Sequence, residues 1–145
     1  MQDKDTILAE VSLDIIRVAN LLERLGGQYA QEGELGSVQQ YMILSMSSFE
    51  ESISMSDIRQ NTLVTKQAVT GVVERMSERG YVKTYKDTED RRVTRVCITS
   101  KGKKTLKTIF PKRVEGNRKA FSILSENEIL QLSDIIAKLI SNINP

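Results

Sequence analysis

The sequence predicts a mainly α-helical fold with one small β-hairpin, in the order four helices, hairpin, two helices. Three observations predict it. Apolar residues recur at steps of three and four over most of the chain. Serines and threonines stand at the starts of those runs, where helix caps belong. Once only, between residues 81 and 99, the composition turns to that of strands. At 145 residues, 39% hydrophobic and 28% charged, the chain has the size of one domain able to bury a core.

Leu8, Val11, Ile15, Val18, Leu22 and Leu25 form the stripe of a first long helix, with Gly26-Gly27 placed to end or weaken it. The stripe suits packing on its own domain and equally a helix shared with another subunit. Ser37 and Gln40 form a capping box that opens a helix through Tyr41, Ile43, Leu44 and Met46. Ser54 and Asp57 give a weaker start for a short helix around Ile58, which a tight turn at Thr62-Leu63-Val64 follows. Thr65 caps the next helix, which runs to about Arg79 and buries Val69, Val72, Val73 and Met76. Gly80 then supplies a residue tolerant of the left-handed conformation.

Tyr81–Tyr85 and Val93–Thr99 are the two strands of the hairpin, and the polar run Lys86–Arg92 is its tip. A further helical region starts near Ser100 and passes Leu106, Ile109 and Phe110, with Pro111 expected to bend or break it. Ser125 and Glu128 form the clearest capping box in the chain, with Leu124 and Ile129 at staple positions. The apolar face behind it is Ile129, Leu132, Ile136, Leu139, Ile140 and Ile143.

Composition excludes several chemistries. There is no His and a single Cys, Cys97, so His-based catalysis, an internal disulfide and a Cys/His metal cluster are all ruled out. No nucleophile–base pair stands out either, so no enzyme, cofactor or metal site is expected. The N-terminus lacks an apolar signal core, and the longest uncharged stretch, Leu35–Phe49, is too short and polar to span a bilayer. A soluble cytoplasmic protein is the expectation.

Net charge is only +2, but it is unevenly spread. Arg59 to Lys119 holds 17 basic and 6 acidic residues, a local +11, and the remainder carries −9. A basic middle between acidic ends points to an anionic partner such as nucleic acid.

The two helices from Ser54 to Arg79 have the form of a helix-turn-helix, whose second helix offers its N-terminal side chains to a DNA major groove. Opposite its apolar face lie Lys66, Gln67, Thr70 and Gly71, with Thr65 at the tip. Lys reaches phosphate or guanine, Gln pairs with adenine, and Thr meets a phosphate or a thymine methyl. Arg91 and Arg92 at the hairpin tip suit a narrow minor groove, and Asp90 suits an internal anchor for an arginine.

These segments together resemble the MarR-type winged helix-turn-helix transcription regulators. The likeness runs through Ser37–Leu44, Ile53–Ile58, Val64–Thr70 and Glu74–Val82. Its most specific part is Asp87-Thr88-Glu89-Asp90-Arg91-Arg92 followed by Val96–Gly102, which is similar to the family's wing and its Thr-x-x-Gly close. The resemblance implies one winged helix-turn-helix lobe (about 37–100) with a two-stranded wing. It also implies a dimerisation lobe from the N- and C-terminal helices (about 5–30 and 101–143). It further implies a homodimer on a palindromic operator, usually a repressor that releases double-stranded DNA on binding a small aromatic or anionic effector. In that frame Lys66, Gln67 and Thr70 read the major groove, Thr65 and Arg75 meet or organise phosphates, and Arg91 or Arg92 enters the minor groove. Arg17, Tyr41 and Tyr85 are the candidates for the effector pocket.

Three positions depart from the family pattern. Gly71 stands where many relatives have Arg, which either reduces base readout or lets the backbone approach DNA more closely. Arg59 replaces a common Ala, so that packing must adjust or its head must turn outward. Cys97 lies in an alternating strand and reads as a small structural residue rather than an oxidant sensor. The competing reading is a winged-helix protein-interaction module that does not read DNA, for which Gly71 is the best evidence.

Overall fold

The computed structural model describes residues 1–33, 35–62 and 65–143, with Glu32 and Val38 described in backbone alone. The element order is α1 (Lys4–Glu32), α2 (Val38–Phe49), β1 (Ile53–Ser54), α3 (Met55–Thr62), α4 (Lys66–Glu78), β2 (Val82–Lys86), β3 (Thr94–Ile98), α5 (Ser100–Ala120) and α6 (Glu126–Ile143). The six helices and the hairpin stand in the expected order. The turn residues Leu63 and Val64 lie outside the described residues.

The caps act where the sequence places them. Ser37 Oγ accepts from Gln40 N at 3.3 Å, but Gln40 Oε1 takes the Gly36 amide at 3.1 Å, one residue before the cap. Ser54 Oγ accepts from Asp57 N at 3.0 Å and Thr65 Oγ1 from Ala68 N at 3.2 Å. At α6 the box is reciprocal: Ser125 N donates to Glu128 Oε2 at 2.8 Å, and Glu128 N to Ser125 Oγ at 3.2 Å.

Neither Gly26-Gly27 nor Pro111 ends its helix. Helix α1 continues to Glu32 and is closed by Gly33. A glycine costs a helix about 1 kcal/mol relative to alanine, which a 29-residue helix tolerates. Gly33 itself is required, because a Cβ there would collide with the Ile109 side chain. Pro111 lies inside α5 without ending it, although it leaves the Lys107 carbonyl without its helical donor. The chain divides into two compact units at this residue, Met1–Pro111 and Lys112–Pro145.

The sheet has three strands rather than the hairpin's two. Its order is β1-β3-β2, all antiparallel, with Ile53 opposite Val96 and Val82 opposite Ile98. The two-residue β1 is too short to leave a period in the sequence. On its buried side the first unit packs Leu35, Ile43, Leu44, Ile58, Val69, Val73, Met76, Val82, Val96 and Ile109 into one core.

Helix α4 ends in a Schellman motif. Tyr81 N donates to Met76 O at 2.9 Å and Gly80 N to Ser77 O at 3.0 Å, with Gly80 at φ +80°. Thr99 then ties this end to α5. Its hydroxyl lies 2.6 Å from Gly80 O and 3.0 Å from Tyr81 O, and it accepts from Gly102 N at 3.1 Å. Lys101 Nζ reaches Arg79 O at 2.6 Å and lies 4.7 Å from the centre of the Tyr81 ring. Gly102 has no room for a Cβ, which would strike the Tyr81 carbonyl oxygen and crowd Ile98 and Leu44.

Since that obstruction is backbone, Gly102→Ala is expected to cost about 1–3 kcal/mol, the usual cost of overpacking. Urea unfolding at one fixed protein concentration measures it, and an unchanged midpoint would contradict the account.

Candidate nucleic-acid interface

Helix α4 buries Val69, Val73 and Met76 and turns its other side outward. Thr65, Lys66 and Gln67 are exposed, and Thr70 and Gly71 are half-buried. Thr70 Oγ1 donates to Lys66 O at 2.9 Å, which commits its proton and leaves its methyl and lone pairs available. Arg75 is exposed one turn beyond Gly71.

Period two along β2 aims Val82, Thr84 and Lys86 at the side of the sheet facing α4, with Thr94 and Val96 opposite them on β3. Between α3, α4 and this sheet lies a groove of about 590 Å³ lined by Met55, Ser56, Arg59, Lys66, Val69, Thr70, Val73, Glu74, Thr84, Lys86, Arg92, Val93 and Thr94. Its rim carries four cations, Arg59, Lys66, Lys86 and Arg92, against the single carboxylate of Glu74. Arg59 therefore settles its departure from the family pattern by turning outward, and it is exposed. Lys86 is held by Thr94 Oγ1 at 2.9 Å.

The hairpin tip is organised by two carboxylates. Asp87 Oδ1 accepts from Glu89 N at 2.8 Å and Asp90 N at 3.1 Å. Asp90 Oδ1 accepts from Arg92 N at 3.0 Å and Arg92 Nε at 3.1 Å, and Oδ2 from Arg92 Nη2 at 3.1 Å. This two-pronged fork is the anchor the sequence suggested for Asp90. Arg91 is exposed and makes no hydrogen bond or ion pair among the described residues. The Arg92 side-chain bonds, and then its backbone amide, hold the Asp90 carboxyl below its ordinary 3.8. The Asp90 and Glu89 amides do the same for Asp87.

Two positioning contacts were not visible in the sequence. Arg95 crosses to β1's flank, donating from Nε to Ser52 Oγ at 3.1 Å and from Nη2 to Ser52 O at 3.0 Å. Arg59 and Lys86 enter the groove only through tertiary placement, although the alternation along β2 does put Lys86 on the α4 side. The effector candidates are not gathered into one place. Tyr41 is buried in the core, Arg17 is exposed on α1 and paired with Asp14 at 3.1 Å, and Tyr85 is exposed on β2. None of the three lines the groove. Cys97 is half-buried on β3 opposite Lys83. Among the described residues no group of three or more His, Cys, Asp or Glu could hold a metal ion, and no helix is long and apolar enough to cross a membrane.

A two-helix unit with a capped outward helix, followed by a cation-tipped hairpin, defines a winged helix-turn-helix. Residues 37–93 match the model of the MarR family. The HTH-type transcriptional repressor MdtR of Bacillus subtilis (strain 168) is 23% identical over 141 residues, covering 96% of this chain and 89% of that protein. The fold is close to that of Sco3205, a MarR family transcriptional regulator from Streptomyces coelicolor crystallised in complex with DNA. The TM-score is 0.86 at 20% identity, over 100% of this chain and 95% of that one. NadR, solved in complex with 4-hydroxyphenylacetate, gives a TM-score of 0.81 at 20% identity, over 97% and 96% of the two chains. The family match spans the winged helix-turn-helix, and together these likenesses support a MarR-type transcription regulator.

The depressed carboxyls give the hairpin tip a pH signature. A folded-state value below the unfolded one stabilises the tip fully above pH 3.8 and is lost as pH falls through the folded value. The Arg92 Nε–H resonance is therefore expected to stay distinct from exposed arginines above pH 3.8 and to merge with them only below it. In Asp90→Asn it should be merged at every pH.

Proposed function

We propose that the chain acts in the cytoplasm as a homodimeric, effector-responsive repressor on a palindromic operator. The observation that carries this reading is the groove in which Arg59, Lys66, Lys86 and Arg92 converge beside an outward-facing helix and a pre-ordered hairpin tip. A cluster of cations beside a protruding helix matches a duplex whose major groove takes the helix and whose phosphates flank it.

Lys66, Gln67 and Thr70 meet base edges in the major groove. Arg59 and Thr65 meet the phosphate backbone. The hairpin enters the adjacent minor groove, with Asp90 steering Arg92 and leaving Arg91 free to take a phosphate or the groove floor.

The homodimer rests on apolar surface. Within α1, Ile7, Leu8, Val11, Leu13, Ile15, Ile16, Val18, Leu21 and Leu22 are all exposed, and in α6 so are Ile129, Leu130, Ile135, Ile136, Leu139, Ile140 and Ile143. Contiguous stripes of this kind mark interaction surfaces. A two-fold dimer presents its recognition helices about one DNA turn apart, roughly 34–36 Å, hence a palindrome. The repressor sense is supported by the relative MdtR, named a repressor. Response to an aromatic or anionic effector is supported by the complex of NadR with 4-hydroxyphenylacetate.

Binding to an operator selected from random duplex DNA tests the reading. Arg92→Ala is expected to weaken binding and to flatten the plot of log affinity against log salt by close to one ionic contact, about 0.9. Unchanged affinity and slope would remove the hairpin from the interface. Sedimentation should give a dimer for the wild type and a monomer for the Ile136→Glu/Leu139→Glu variant. A wild-type monomer would overturn the homodimer.

A further inference from the structure

Four glycines have reasons inside the protomer. Gly33 and Gly102 sit where a Cβ would collide with the Ile109 side chain or the Tyr81 carbonyl, a Cβ on Gly36 would come within 2.9 Å of Gln40 Nε2, and Gly80 has φ +80°. Gly71 has no such reason. It lies in the interior of α4, where glycine weakens a helix relative to alanine. A Cβ built on it would meet Arg75 Nη1 alone, at an ordinary contact of 3.4 Å. Gly27 is open too, but it lies on α1, outside the candidate interface.

The neighbour of the gap is informative. Helical side chains lean toward the helix N-terminus, so a residue at i+4 covers the turn before it. Arg75 does this, bringing its guanidinium back over the bare backbone at Gly71. It is exposed, and among the described residues it forms no ion pair, although Glu74 and Glu78 are near in sequence. An uncommitted guanidinium thus hangs over the outward face of α4, one turn beyond Gln67 and Thr70.

We propose that Gly71 and Arg75 work as a pair: the missing side chain at 71 lets the Arg75 guanidinium reach across the helix into the major groove, where it reads one guanine. The inference rests on the DNA-binding reading above and gives Arg75 a base contact rather than a phosphate contact. The planar fork of Arg matches guanine O6 and N7 with two parallel hydrogen bonds, which a Lys ammonium does not reproduce.

The test uses the full-length protein and duplexes selected by the wild type from a random-sequence library. Arg75→Lys keeps the charge and is expected to lose roughly ten- to hundred-fold on the selected operator. One G·C preference per half-site should disappear while binding to random duplex is unchanged. Gly71→Leu, a better helix former that fills the gap, is expected to melt no lower than the wild type and to show the same loss. Three results would overturn the pairing: wild-type operator binding by Arg75→Lys, wild-type operator binding by Gly71→Leu, or equal weakening on operator and random DNA. If the wild type selects no duplex at all, the DNA-binding reading itself fails. If it does select one and Arg92→Ala weakens it while both test variants bind normally, the Gly71–Arg75 pairing alone fails.

Discussion

The hydroxyl of Thr99 is the point on which the winged region depends. It lies against the carbonyls that end the α4 turn, Gly80 and Tyr81, and accepts the amide of Gly102 in the first turn of α5. One side chain thereby joins the exit of α4, the entry of β2 and the start of α5. The junction works because two glycines flank it for opposite reasons: Gly80 must turn left-handed, and Gly102 must be bare to lie against a carbonyl. With the exit of α4 fixed in this way, β2 leaves in a set direction. The groove between helix and sheet has a shape before any ligand arrives.

What the sequence made legible is what its physics keeps local. Caps at Ser37, Thr65 and Ser125, the left-handed stop at Gly80 and the Asp90 anchor each act over two or three residues, and each stands where the sequence put it. That Gly26-Gly27 and Pro111 do not end their helices has the opposite origin. Their local costs, about 1 and 3 kcal/mol, are small beside what long helices gain elsewhere. Strand β1 and the Arg95–Ser52 bonds join residues 41 to 43 positions apart, and no pattern in the chain announces such a pairing. Arg59 illustrates the same limit at the site: in the sequence it poses only a packing question, and the fold shows that it shares a groove with Lys66. Tyr41 is the converse, an aromatic on an amphipathic helix that the core claims.

The uneven charge also gains a location. Of the basic residues between Arg59 and Lys119, four converge on one groove, and Lys101, Lys103, Lys104 and Lys107 lie exposed along the first turns of α5. That stretch of α5 contains no acidic residue up to Pro111. The acidic surplus belongs to the rest of the chain, including the N-terminal helix with its exposed apolar stripe.

The hairpin tip departs from this pattern. Lys86, Arg91 and Arg92 are balanced there by Asp87, Glu89 and Asp90, so the segment as a unit is electrically neutral. Seen from beyond a Debye length, roughly 8–10 Å at ordinary salt, it contributes almost nothing to the pull on a polyanion. Long-range capture, and the salt sensitivity of its rate, then falls to Arg59, Lys66 and the α5 lysines. The tip acts only at contact, with Arg92 already oriented and so with little freedom left to lose. On the DNA-binding reading these two regions divide the kinetics: the cations set how fast a duplex is met, and the neutral tip sets how long it is kept.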